Sequence, residues 1–230
     1  MKLPDKTTTI LDAIGEITDG ASVMVGGFGV PGTPFCLINE LVRQGAKDLT
    51  IIKNDANESG MGIDHLLKNG QVARLITTHI GLNPRAIEMM NAGDIKVEFC
   101  AQGILAERIR AAGAGLAGIL TDIGIDTELG VGKQRVDVGD RTQMVETALG
   151  ADFALIHADR ADPFGNLCYS GTAQNFNPAM AMAANVVIAE FEALHPLGQL
   201  SPDIIHTPGP FVDRVVELTE LTGEYAVVRR

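Results

Sequence analysis

The apolar positions of this chain fall into short runs separated by turns, and their spacing switches repeatedly between that of a strand and that of a helix. Residues 21–25 (ASVMV) and 49–52 (LTII) are continuous apolar runs beside Gly, Asp or Asn, as buried strands are. Between them Leu37, Ile38, Leu41 and Val42 recur at helical spacing and give one face of an amphipathic helix. The alternation continues with a helix over 63–68, a strand over 74–79, a helix over 84–91 and a strand over 95–100. A helix over 104–112, closed by Gly113, and a strand over 116–120 follow. Near the start, Ile10, Leu11, Ile14 and Ile17 predict one helix over 3–17. Further on, 153–158, 167–169 and 186–191 read as strands, and 179–184 and 211–218 as helices. Short strands alternating with helices predict an α/β fold: an open, mostly parallel sheet with helices on both faces. Residues 121–138 keep neither period and are expected to form a long loop or a short antiparallel excursion. No internal repeat or Ser/Pro-rich linker divides the chain, so residues 1–230 are expected to form a single domain.

The strand over 21–25 runs directly into Gly26, Gly27, Phe28, Gly29, Val30, Pro31 and Gly32. Gly27, Gly29 and Gly32 satisfy G-x-G-x-x-G at a strand-to-helix turn, and Asp55 follows the next strand, where a dinucleotide fold holds a ribose hydroxyl. Thr33 is expected to cap the next helix, with Pro34 at its first position. Backbone amides in such a loop suit a phosphate, a carboxylate or an oxyanion equally well. The pattern alone therefore leaves a NAD-dependent dehydrogenase, a small-anion binder and a plain tight turn all open.

Composition narrows the field. A net charge of -11 disfavours nucleic acid and anionic membranes as partners, because nothing here neutralises phosphate in bulk. No apolar stretch reaches the ~20 residues of a membrane helix, and residues 1–9 lead into Asp12 and Glu16 rather than a signal-peptide core. Cys36, Cys100 and Cys168 are odd in number and widely spaced, so a reducing, cytoplasmic location is expected. Without Cys-x-x-Cys, or paired His at i, i+4 with a carboxylate, no metal site is expected. GVGK at 130–133 lacks the first glycine and the Ser/Thr of a P-loop, and G-x-S-x-G is absent. No nucleophile–base pair stands out.

The phrase GGFGVPGTP is more specific than the bare glycine pattern. It resembles the opening loop of the α subunit of family I (3-oxoacid type) CoA-transferases, which include acetate and butyrate–acetoacetate CoA-transferases. LTIIKNDANESGMG (49–62), LLKNGQV (66–72), QGILAERIRAAGAG (102–115), DPFGN (162–166), TAQNFNPAMAMAA (172–184) and IHTPGPFVD (205–213) resemble further blocks of that family, in the family's order. Residues 122–138 match least.

The resemblance implies a CoA-transferase/sugar-phosphate isomerase-like fold and an enzyme that moves CoA between an acyl-CoA and a short-chain acid such as acetate, butyrate or acetoacetate. It implies ping-pong chemistry through a glutamyl-CoA thioester on a β subunit, in an α2β2 assembly. CoA and acyl-CoA are then substrates, and no cofactor is bound permanently. For this chain it implies oxyanion stabilisation by Gln102. It implies ligand contacts from Asn54 and from the loop residues Gly26, Gly27, Phe28, Gly29, Val30, Pro31 and Gly32. Asp55 replaces the second asparagine of a family pair, and its carboxylate repels an anionic ligand unless it is paired. Gln174 stands where relatives often carry Arg or Lys. Glu58 faintly resembles the catalytic Glu-Asn-Gly neighbourhood of β subunits and is expected to be a loop carboxylate. Asn175, Asn177 and Pro178 are expected to organise a turn and a helix start without chemistry. The competing readings are a noncatalytic small-anion sensor on the same fold and a dehydrogenase using Asp55.

Overall fold

The structure, a computed structural model, describes residues 3–225. Its elements run α1 (Ile10–Ile14), β1 (Ser22–Val25), α2 (Phe35–Gln44), β2 (Leu49–Ile52), α3 (Ile63–Lys68), β3 (Val72–Thr77), α4 (Pro84–Ala92), β4 (Lys96–Phe99) and α5 (Gln102–Gly113). There follow β5 (Gly118–Thr121), β6 (Arg135–Val138), β7 (Arg141–Thr147), β8 (Ala151–Ala161), β9 (Leu167–Cys168), α6 (Asn177–Ala183), β10 (Ala184–Leu194) and β11 (Arg214–Glu217).

Seven strands lie parallel in the order β11-β10-β8-β1-β2-β3-β4, and β9 pairs antiparallel with β8. Successive side chains of a strand point to opposite faces. Val23 and Val25 thus pack on one face with Ile14, Leu37, Ile38, Leu66 and Ala86, from α1 to α4. Met24 packs on the other face with Leu105, Ile109 and Met180, from α5 and α6. The expected open parallel sheet with helices on both faces is the observed fold. Gly113 ends α5 but serves α6 too: a Cβ there would lie 2.6 Å from Met182 Cβ, so its absence permits the close approach of the two helices.

Sheet order locates the crevice. From β1 the chain steps outward through β2, β3 and β4, then returns as β8 on the opposite side of β1. Loops leaving the carboxyl ends of β1 and β8 therefore diverge, which is where open α/β sheets place ligands.

Three expectations need correction. Residues 3–17 do not form one helix. Thr7 bridges in parallel to Val215, Lys6 Nζ donates to Gly209 O and Val212 O, and the Thr9 hydroxyl caps α1 by accepting from Asp12 N. Pro4 and three successive β-branched threonines favour this extended entry over a helix. The helix expected over 211–218 is instead a 3-10 turn, Gly209–Phe211, followed by β11, whose Val215 and Val216 pair with β10. The strand expected at 116–120 lies outside the parallel sheet, in a three-stranded antiparallel sheet of order β5-β7-β6. Residues 121–138 are thus the expected excursion, and they lead into a hairpin whose two-residue turn is Gly139-Asp140. Gly139 takes the positive φ that such turns demand.

Candidate functional site

The glycine loop leaves β1 at the centre of the carboxyl edge. Gly26 N donates to Leu155 O of β8 at 2.9 Å, and Phe28 N closes a turn on Pro31 O at 3.1 Å. Three glycines leave no room for a Cβ, among them Gly32, where one would lie 2.5 Å from Ala173 O at φ +75. A Cβ on Gly26 would sit 1.8 Å from Asn177 Oδ1, and Gly27, at φ +96, would drive one to 2.6 Å from Thr33 N. Phe28 is 47% exposed at the loop tip and borders an apolar hollow shared with Pro31, Thr172 and Asn175. Among the described residues, the amides of Gly27, Val30 and Gly32 have no hydrogen-bond acceptor. They are donors in waiting.

Thr33 does not cap α2. Its hydroxyl donates to Gly29 O at 2.7 Å and accepts from Lys53 Nζ at 3.1 Å, while Pro34 occupies the cap position. The helix's exposed amides find remote partners: Leu37 N donates to Glu190 Oε2 at 2.8 Å and Phe35 N to the Tyr225 hydroxyl at 3.1 Å. A carboxylate at that end also complements the helix dipole.

Beneath the loop, Lys53 is fully buried. Besides Thr33, its ammonium reaches Gly26 O at 3.3 Å and Gly27 O at 3.5 Å, and it lies 3.9 Å from Asp55 Oδ2. Asp55 Oδ2 accepts from Gly29 N at 2.8 Å and Asn54 Nδ2 at 3.1 Å, and Oδ1 accepts from Asn57 N at 2.9 Å. Burial alone would raise the Asp55 pKa, but the Lys53 charge and these N–H donors outweigh it and hold the carboxyl below its usual value. Burial lowers the Lys53 pKa, with the Asp55 charge acting against the shift. Asp55 is therefore paired, and both its oxygens are engaged.

Asn54 is fully buried beneath Gln102: its Oδ1 accepts from Gln102 Nε2 at 2.8 Å. Gln102 begins α5, is itself exposed, and keeps its second Nε2 hydrogen for another acceptor. The strand ends thus gather Gly26–Gly32, Asn54 and Gln102 into one connected network, although 48 residues separate the last two. Glu58 stays outside it as an exposed loop carboxylate.

On the other flank of the loop, at the divergence of β1 and β8, lies a cleft of about 420 Å³. Its walls include Pro31, Gly32, His157, Asp159, Glu192 and Tyr225. Behind it the His157 imidazole contacts Glu190 Oε1 through Nδ1 at 2.9 Å and approaches Glu192 Oε1 through Nε2 at 3.4 Å; Tyr225 also hydrogen-bonds to Glu190. Burial opposes the charge on His157, but the hydrogen bond and charge of Glu190 prevail and raise its pKa. Among the described residues no group of His, Cys, Asp and Glu could hold a metal ion, and no helix is long and apolar enough to cross a membrane.

The sequence matches the coenzyme A transferase family over residues 7–218. The chain belongs to the coenzyme A transferase family. This transferase is 49% identical over 222 residues to a probable coenzyme A transferase subunit alpha of Bacillus subtilis (strain 168), covering 96% of the chain and 97% of that protein. It is 43% identical over 211 residues to the acetate CoA-transferase subunit alpha of Escherichia coli (strain K12), covering 92% and 96% respectively. Its fold superposes with a TM-score of 0.85, at 23% identity, on an acyl-CoA transferase of E. coli O157:H7 solved as a thioester complex with CoA. That match covers 96% of the chain and 48% of the other, so the transferase spans about half that polypeptide.

Sequence reasoning about the transferase missed Lys53, which follows the apolar run 49–52 and was given no role, and the trio His157, Glu190 and Tyr225. One signal was present for the trio: His157 and Glu190 fall at facing register positions of the parallel neighbours β8 and β10. Asn177, expected to organise a turn and a helix start, begins α6 and also ties the loop, donating from Nδ2 to Gly32 O at 3.0 Å.

Proposed function

We propose that this chain is the α subunit of a heteromeric CoA-transferase that exchanges CoA between an acyl-CoA and a short-chain carboxylic acid of the acetate, butyrate or acetoacetate class. The observation that carries this reading is the Gln102–Asn54 pair beside the loop, a donor with a free N–H in a network whose carboxylate among the described residues, Asp55, is already committed to Lys53, Gly29 and Asn57. The missing nucleophile is a glutamate of a β subunit. Its carboxylate attacks the acyl thioester carbonyl; CoA leaves as the thiolate and an acyl–glutamyl anhydride forms. The thiolate then attacks the glutamyl carbonyl, which releases the first acid and leaves CoA on the enzyme as a thioester. A second acid runs the two steps in reverse, so the kinetics are ping-pong. Gln102 donates its free N–H to the developing oxyanion, and the loop amides hold the acyl-CoA. Short-chain acids and CoA esters suit a cytoplasmic site of action, and α2β2 is the assembly that gives each site both chains.

The dehydrogenase reading loses its key residue, because Asp55 is committed to Lys53, Gly29 and Asn57 rather than open to a ribose hydroxyl. The test is co-expression with a β chain carrying a Glu-Asn-Gly block, then CoA exchange over a panel of acids and borohydride trapping. The expected outcome is exchange, with the trapped thioester on the β chain; a thioester on this chain would refute the division of labour. Gln102→Ala is expected to lower kcat about 10²–10³-fold, the usual cost of one oxyanion donor.

A further inference from the structure

We infer that Lys53 is a positioning residue, which with Asp55 clamps the glycine loop from beneath and fixes where its free amides stand. The inference deepens the proposed transfer reaction and rests on that reading for its kinetic arm alone.

The clamp works on both polarities of the loop backbone. An ammonium offers three donors, and Lys53 has three acceptors in reach: Thr33 Oγ1, Gly26 O and Gly27 O. Asp55, an acceptor only, takes Gly29 N. Carbonyls are drawn down at the start of the loop and an amide at its middle, which leaves Gly27, Val30 and Gly32 N–H without an acceptor among the described residues. The alternate polarity matters because Gly26 and Gly27 are buried and their carbonyls take these hydrogen bonds away from solvent. An apolar residue of the same length at position 53 would fill the space and leave both carbonyls without these donors. Thr33 is drawn into the same task, since its hydroxyl passes the contact on to Gly29 O. Sequence reasoning treated Asp55 as an awkward carboxylate near an anion site; paired with Lys53 it becomes the acidic half of a neutral support.

A buried ion pair is weak evidence for stability, so the test separates positioning from stability. Lys53→Met and the double variant Lys53→Met/Asp55→Asn are prepared in the chain assembled with its β subunit. Thermal unfolding, CoA-exchange kinetics and hydrogen–deuterium exchange of the loop peptide are then measured. Lys53→Met is expected to lower kcat at least tenfold at temperatures well below its midpoint, and to speed exchange at Gly29 at least tenfold relative to β1. The double variant, with no unpaired charge, is expected to recover most of the thermal midpoint but neither kcat nor loop protection. If kcat and loop protection recover together with the midpoint, or never fall, the inference is overturned. Should Lys53→Met not fold, Lys53→Arg, which keeps the charge but not the donor geometry, reads the same quantities. Should the wild-type assembly exchange no CoA on any acid, the transfer reading fails, and the loop-exchange arm still decides the role of Lys53.

Discussion

The glycine loop is flanked by two buried clusters of paired charges, and they are built for different tasks. On one side Lys53 and Asp55 are sealed under the backbone, every contact spent on the loop or its neighbours. On the other side His157 and Glu190 stand against the switch-point cleft, and His157 is one of its walls. Both clusters pair a cation with a carboxylate at a strand end. What separates them is what they face, since both are equally buried: Lys53 and Asp55 contact only the loop backbone and its neighbours, whereas the His157 ring borders a cleft. The difference teaches that neither charge type nor burial at the edge of a sheet is a guide to role until it is known what the groups face.

The comparison can be broken most forcefully at its cleft side. Glu190→Ala removes the acceptor of Leu37 N, His157 and Tyr225 at once, and is expected to cost about 3–5 kcal/mol, as loss of one partner of a buried pair does. Urea unfolding of wild type and variant measures this directly. Next in size, Gly27→Ala forces a Cβ against the Thr33 backbone at a positive φ, and an expected loss of about 2–3 kcal/mol is readable as a lowered thermal midpoint.

A smaller effect sharpens the contrast through pH. The raised His157 pKa gives stability that is fully present below the ordinary histidine value, about 6.5, and lost as pH rises through the folded-state value. The depressed Asp55 pKa works the other way: its contribution is present above about 3.9 and is lost only as pH falls through the folded-state value. Urea midpoints of wild type against His157→Gln should therefore converge as pH rises above neutral. A gap that widens with rising pH would reverse the assignment. The smallest change in stability is expected for Phe28→Ala, within about 0.5 kcal/mol because the ring is half exposed. Its KM for acyl-CoA should nonetheless rise if the loop tip meets the ligand.

Much of this was legible in the sequence, for identifiable reasons. Buried parallel strands read as plain apolar runs, so β1 and β2 announced themselves, β3 was found two residues late (74–79 against Val72–Thr77) because Arg74 interrupts it, and the glycine loop followed at the end of β1. Gln102 and Asn54 were found through family blocks, and the strand ends bring them together. β7 was missed because five of the seven residues of RTQMVET are polar, and β11 because Pro208, Gly209 and Pro210 precede a segment too short to show its period. Lys53 was invisible in principle: a charged residue at the end of an apolar run is ordinarily solvated, and only the folded loop supplies its acceptors.

The loop's ties also set a timetable. Gly26 leans on Leu155, Gly32 on Asn177, and the start of α2 on Glu190, all more than a hundred residues downstream. Contacts of such long sequence separation form late, because the entropy of closing the intervening chain must be overcome first. On a ribosome the segment β1 to β4 emerges early and can pair locally, yet the glycine loop within it stays unset until Glu190 has been synthesised. The nascent chain therefore carries its glycine loop unfinished through most of translation.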